Sequence, residues 1–560
     1  MRTILFALLA LCLVAACDDG SFSNLSGTPA DGDLETDRLD NGEVNDDDWS
    51  RADLDRPDGD DSDGDRMDAE PENDADSEET GEIDSPETDS ADDNPIASYC
   101  PQGVADCPAG QGCVGGACGV CQAPEHCRAL ESCRTDGVCG ACEDSSQCRE
   151  GTSCADGFCL QAEIGEFRIA MDPADFEALK TNIYGETWYP CVVTANGRTY
   201  NLGEQIRLLG NFSRSFPTKS FRITSPSGVD HPGFSRKMNL KAEWDDPTHM
   251  RSFLAYHLYR QFTTVPAPRV RYWKVLVNDA YYGLMVETER VGDNFLEANG
   301  RDAQRSMYEA AYVYPGGTFV PIAAPETYDM YYAKKNGLPE DDYSDLVHFI
   351  ENVIWPDFED SDALDPGRDE TTTARVREAL HVEHYLKYLA VNTLIQNADT
   401  ITNNFYFSWQ ADPTGRLAWE FYPWDMDLTF GCLYDEDWTQ VCHDFAADRW
   451  WQNGIVDDEE EVGPDHENWI NLLIHLVILD PEFAPRYSGL ICEYLDRGYW
   501  QNELPRLLDA LGDRLWPAIE PDPGDQIETR QDFEAAKDYF KRFLVEREEY
   551  LREAAECRAD

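Results

Sequence analysis

The chain runs to 560 residues, 42% of them hydrophobic and 11% aromatic, which is enough length for several domains and enough apolar material for a sizeable core. Its formal net charge of −65 excludes nucleic acid as an expected partner. Phosphate backbones are held by a surplus of Lys and Arg, and no basic stripe interrupts the acidity.

Met1 to Ala16 reads as a targeting segment, with Arg2 as a minimal positive end and an apolar run from Ile4 to Ala15 that is too short to span a membrane. Val14-Ala15-Ala16-Cys17 resembles a bacterial lipobox. The expected mature chain therefore begins at a lipidated Cys17 on the extracytoplasmic face of the cell envelope, with the lipid as its only membrane contact. Residues 17–97 are Asp, Glu, Ser and Gly punctuated by Pro, with no Lys. Such a segment buries too little apolar surface to offset its ordering entropy, so it is expected to be a disordered acidic linker, extended by like-charge repulsion.

Residues 98–162 carry twelve cysteines in three near-repeats of about 21 residues. Cys100, Cys107, Cys113 and Cys118 are followed by Cys121, Cys127, Cys133 and Cys139, then by Cys142, Cys148, Cys154 and Cys159. In an exported chain so small a unit needs staples, and the expectation is a disulfide module of open connectivity. Cys118-x2-Cys121 and Cys139-x2-Cys142 have zinc-ligand spacing, but they straddle the repeat boundaries. Farther on, Cys432 with Cys442 and Cys492 with Cys557 are candidate pairs, which leaves Cys191 over.

Residues 163–560 read as one α+β domain. The patterns predict a strand over 167–171, a helix over 173–180, a hairpin turning at Ala195-Asn196-Gly197, strands over 205–209 and 219–224, and an amphipathic helix over 250–262. A second hairpin turns at Asn278-Asp279, a Tyr-, Gly- and Asp-rich insertion covers 296–375 with a helix at 343–353, and a helix over 381–395 follows. His381 and His384 on that helix lack metalloprotease spacing and are assigned to packing or surface. A last helix over 531–556 buries Phe533, Phe540, Phe543, Leu544 and Leu551.

The chemistry gathers between Asn397 and Gly431. Two apolar runs, 405–409 and 417–422, flank the turn signal Asp412-Pro413-Thr414-Gly415, as in a β-hairpin. Asp399 and Asn404 precede the first strand while Asp425 and Asp427 follow the second, so antiparallel pairing brings all four to one end. Carboxylates and amides so gathered suit a hard cation, since Mg²⁺ takes one or two carboxylates together with phosphate oxygens and water.

Several segments together resemble the CotH kinases, atypical kinases first associated with bacterial spore coats. They are Leu209-Gly210-Asn211-Phe212-Ser213 through Phe221; Met238-Asn239-Leu240 with Asp246-Pro247 and Arg251; Val277-Asn278, Tyr282-Gly283 and Glu287-Thr288-Glu289; Asn397 to Asn404; and Pro423 to Gly431. The resemblance covers about residues 163 to 556 and departs at the first motif, where the family usually reads Arg-Gly-Asn-Ser-Ser and this chain reads Leu209-Gly210-Asn211-Phe212-Ser213.

It implies a divergent, atypical protein-kinase-like two-lobed domain that uses ATP with Mg²⁺ or Mn²⁺. By the same resemblance Asp399 accepts or orients the attacking hydroxyl, while Asn404 and Asp425 hold metal with Asp427 as a secondary ligand. Gly210, Asn211 and Ser213 belong to a nucleotide-covering loop, Lys219 neutralises the nucleotide, and Glu289 orients Lys219 or helps hold metal. The expected partner is a protein substrate, basic and Ser-rich. A non-catalytic surface scaffold or adhesin, and adenylylation on the same fold, are the alternatives.

Overall fold

A computed structural model describes residue 107 and, with short gaps, residues 111–557; the longer gaps are 311–315, 358–369, 435–439 and 443–470. The expected signal segment, Cys17, the acidic linker and Cys100 lie outside the described residues. Among the described residues no helix is long and apolar enough to cross a membrane.

The cysteines form disulfides. Cys121 pairs with Cys133 and Cys127 with Cys139; Cys142 pairs with Cys154 and Cys148 with Cys159; Cys107 pairs with Cys118. Each complete repeat thus links its first cysteine to its third and its second to its fourth, so the zinc-spaced pairs are split between different bonds. The repeats also stack. Arg128 donates to the Cys107 carbonyl at 2.8 Å, and Arg149 donates to the Cys127 carbonyl at 2.9 Å. The same staple recurs one repeat later because the residue after the second cysteine is Arg both times.

The third repeat is packed into the rest of the molecule. Phe158 and Leu160 are buried in the same apolar cluster as the helix Arg251–Phe262. Gln161 spends its side-chain amide on the N–H and C=O of Tyr272, both at 3.0 Å, and Arg514 donates to Ser153 Oγ and to the Gln161 carbonyl. The expected boundary between residues 162 and 163 therefore cuts through a packed contact. Uncovering a buried Phe or Leu costs roughly 2–5 kcal/mol. A chain starting at residue 163 is expected to melt well below one starting at residue 120; equal melting temperatures would show that the module contributes nothing to the domain.

Nine strands make one sheet, in the spatial order Arg198–Tyr200, Val192–Ala195, Gly165–Ala170, Val270–Val277, Ala280–Thr288, Lys237–Lys241, Phe221–Thr224, Gln205–Leu208 and Tyr189–Pro190. Only Gly165–Ala170 and Val270–Val277 run parallel; the other neighbours are antiparallel. Alternation sends Trp273, Val275, Val277 and Met285 to one core with Phe167 and Phe221, while Tyr272, Leu284 and Val286 face the second core behind the sheet. Both predicted hairpins turn where expected, with Asn196 and Gly197, and Asn278 and Asp279, at positive φ.

The second core belongs to the helical part. Helix Arg251–Phe262 was expected to be amphipathic, yet ten of its twelve residues are buried, because it lies between strand Val270–Val277 and helix Val382–Leu394, where Tyr259 packs near Tyr388. The hairpin of Phe405–Ala411 with Leu417–Pro423 pairs Phe405 with Pro423. Two insertion strands, Met307–Ala310 and Tyr332–Asn336, extend its sheet, an addition that the insertion's irregular composition did not signal. Helix Ser344–His348 continues into a π-helix over Phe349–Ile354. Cys492 and Cys557 are bonded, Cys191 is buried and free, and Cys432 lies opposite Cys442 in a two-stranded ribbon.

His381 and His384 are packing residues. Both are buried, and their Nε2 atoms meet the carbonyls of Gln410 at 3.0 Å and Phe421 at 2.8 Å.

Candidate active site

The hairpin delivers its polar ends together because helix Val382–Leu394 feeds the 397–404 loop directly into the first strand. Tyr388 on that helix hydrogen-bonds Thr400 at 2.8 Å and so ties the loop down. Within the loop Asn403 donates to Asp399 Oδ1 at 3.3 Å, and Asn404 donates to Asp399 Oδ2. Asn404 and Asp425 both sit in the left-handed region, at φ 59° and 54°. Short polar side chains tolerate that conformation best, and it turns each side chain off the strand axis.

The loop after the second strand is clamped from three directions. Phe430 donates its N–H to the Ile395 carbonyl at 2.6 Å, and its ring packs on Phe540 of the last helix with centroids 4.4 Å apart. Arg251, at the start of its buried helix, donates to the Asp427 carbonyl at 3.2 Å. Asp246 braces that helix start by accepting the N–H groups of Thr248 and Arg251 at 2.9 and 2.7 Å.

Lys241 stands between the two acids. Its ammonium donates to Asp425 Oδ1 and to Asp427 Oδ2, the latter at 2.8 Å, and Glu243 Oε1 lies 3.7 Å away. The lysine ends strand Lys237–Lys241, opposite Val286 in the neighbouring strand. This residue was missed in the sequence. The available signal was a Lys closing an otherwise buried strand just before Glu243 and Asp246.

Lys219 is placed elsewhere. Its ammonium donates to the carbonyls of Arg214, at 2.7 Å, and Phe216, so it closes its own loop instead of reaching the acids. Glu289 does not orient it, since Arg269 takes both Glu289 oxygens, at 2.6 and 3.0 Å. The loop itself forms a 3-10 turn over Phe212–Ser215, which uses the N–H groups of Arg214 and Phe216 internally. Gly210 is required there: its φ is 90°, and a Cβ would meet Ser213 Oγ at 2.1 Å. Asn211 is exposed on the loop.

Electrostatics set the acids apart. Burial, then the charges of Asp425 and Asp427, push Asp399 up to about 7. Burial and the neighbouring Asp427 push Asp425 up to about 6, with solvent at its one-third-exposed side chain softening the effect. Burial works to raise Asp427 as well, but Lys241 overrides it and holds that acid below its ordinary value. Glu243, enclosed and hydrogen-bonded by Ser252, is raised by burial to about 8. The set therefore separates a carboxylate that titrates near neutrality from one that stays ionised.

The CotH kinase protein family matches residues 206–551 of this chain. The chain belongs to that family. The inner spore coat protein H of Bacillus subtilis (strain 168) is 23% identical to it over 403 residues, covering 70% of this chain and 98% of the relative. Membership agrees with the α+β architecture and supports an atypical, kinase-like function. The matched span of this CotH-family chain contains Lys219, Lys241, Glu289, Asp399, Asn404, Asp425 and Asp427.

Proposed function

We propose that this CotH-family protein transfers the γ-phosphoryl group of ATP to Ser or Thr hydroxyls of proteins at the cell surface or in a coat. The observation that carries the reading is the convergence of Asp399, Asn404, Asp425 and Asp427 on one end of a hairpin, with a lysine ammonium bridging two of them. In-line phosphoryl transfer needs positioning and charge stabilisation more than covalent chemistry.

Asp399, titrating near neutrality, accepts the proton of the attacking hydroxyl and aligns its oxygen. The donor set fits Mg²⁺ or Mn²⁺: every donor is a hard oxygen, and Asp425 and Asp427 already share one cation, the Lys241 ammonium. Asn404, Asp425 and Asp427 would hold the metal, which neutralises charge on the phosphates when bound.

The test uses the full mature chain with disulfides intact, incubated with ATP, Mg²⁺ or Mn²⁺ and a basic, Ser-rich protein, followed by intact-mass analysis. Phosphorylation adds about 80 Da, whereas adenylylation adds about 329 Da. Failure to bind nucleotide with either metal would leave the surface-scaffold reading.

The proposed site of action is the extracytoplasmic face of the cell envelope, through lipid on Cys17. Cys17→Ser is expected to move the protein from the membrane fraction to the soluble fraction. Continued membrane association with an unmodified Cys17 would end the lipoprotein reading.

A further inference from the structure

If Asp425 and Asp427 are to hold a divalent cation, the Lys241 ammonium that now joins them has to give way. Its side chain is only 13% exposed, and a nearly buried ammonium left without a counter-charge is costly. Glu243 is the carboxyl group within reach, and an ammonium moving onto it favours its ionised form. Its Oε1 lies 3.7 Å from Lys241 Nζ, and its side chain is fully enclosed.

The placement of Glu243 is built in. Ser252 Oγ lies 2.8 and 3.0 Å from the two carboxylate oxygens, and Ser252 is itself buried beside Arg251, which grips the Asp427 carbonyl. The backbone of Glu243 is in the left-handed region, at φ 48°, and its carbonyl accepts the Asp246 N–H at 2.9 Å. Two adjacent residues at one helix start thus fix both sides of the ammonium: Arg251 the acid loop, Ser252 the enclosed glutamate.

We propose that Glu243 is a positioning residue that receives the Lys241 ammonium when Asp425 and Asp427 take a divalent cation, and that Ser252 holds Glu243 ready for the exchange. The proposal rests on the metal-dependent reading of the site given above. It assigns Glu243 an effect on metal affinity through Lys241, without contact to substrate. Without Glu243 the ammonium stays on Asp425 and Asp427 and competes with the metal.

The experiment titrates Mn²⁺ alone, followed by its electron paramagnetic resonance signal, into the full disulfide-intact chain, and then repeats the titration with ATP. Glu243→Gln is expected to weaken Mn²⁺ binding about tenfold, the scale of a lost charged hydrogen bond, with Ser252→Ala shifting it less in the same direction. In a Lys241→Met background the Glu243 substitution should add nothing, because the competing ammonium is gone. A loss of the same size in both backgrounds, or a lowered melting temperature with unchanged Mn²⁺ affinity, overturns the proposal. Should Glu243→Gln not fold, Ser252→Ala alone and with Lys241→Met carries the same cycle. Wild-type protein that binds neither Mn²⁺ nor ATP sinks the active-site reading and this proposal together; wild type that binds both, with variants that match it, sinks only this proposal.

Discussion

Asp425→Ala and Asp399→Ala are each expected to lower phosphoryl transfer by about 10²-fold or more, the scale on which a preorganised electrostatic contact acts. Their signatures differ. Asp425 shares the bridging ammonium with Asp427, so its loss removes a ligand and should weaken metal-dependent nucleotide binding. Asp399 is held by Asn403 and Asn404, so Asp399→Ala should bind Mg-ATP almost normally and fail in transfer. Variants that retain full activity would remove this end of the hairpin from the chemistry.

The same aspartate predicts a pH effect that needs no substrate. Burial and its acidic neighbours raise Asp399 to about 7, above its unfolded value, so the folded chain binds the extra proton between about pH 4 and pH 7. Its contribution to stability is then greatest below pH 4 and is lost as pH rises through 7. The melting temperature of Asp399→Asn, measured without metal, should gain on wild type between pH 4 and pH 8. A constant difference across that range would mean that Asp399 titrates normally.

Arg251→Met is expected to cost about 3–5 kcal/mol, the range for leaving one partner of a buried ion pair alone. Arg251 is 4% exposed and packs its guanidinium 3.7 Å from Asp246, whose carboxylate is fully enclosed. Removing it leaves that carboxylate with its hydrogen bonds from Thr248 and the backbone N–H of residue 251 but without the facing positive charge, and it frees the Asp427 carbonyl, so denaturant unfolding and Mn²⁺ affinity should both suffer. A stability loss under about 1 kcal/mol would show that water reaches Asp246 and screens it.

The hairpin and its polar end were legible in the sequence because they depend on local rules. Alternating apolar residues mark the strands, Asp412 to Gly415 mark the turn, and antiparallel pairing then fixes which end Asp399, Asn404, Asp425 and Asp427 share. The 21-residue cysteine period was equally plain, as were the turns at Asn196-Gly197 and Asn278-Asp279. Chain composition and the order of motifs therefore determined the fold class, the disulfide module and the four-residue cluster.

The partners of those residues were decided by tertiary structure. Lys219 and Lys241 are both lysines at strand ends, and nothing local distinguishes them. Sheet order carries Lys241 over the acid loop, 184 residues away in sequence from Asp425, while Lys219 folds back on carbonyls three and five residues before it. Glu289 likewise met Arg269, because the neighbouring strands of their hairpin place those two side by side. An ion pair is chosen by distance in space, and a long side chain at a strand end takes whichever opposite charge the sheet's topology brings within about 4 Å.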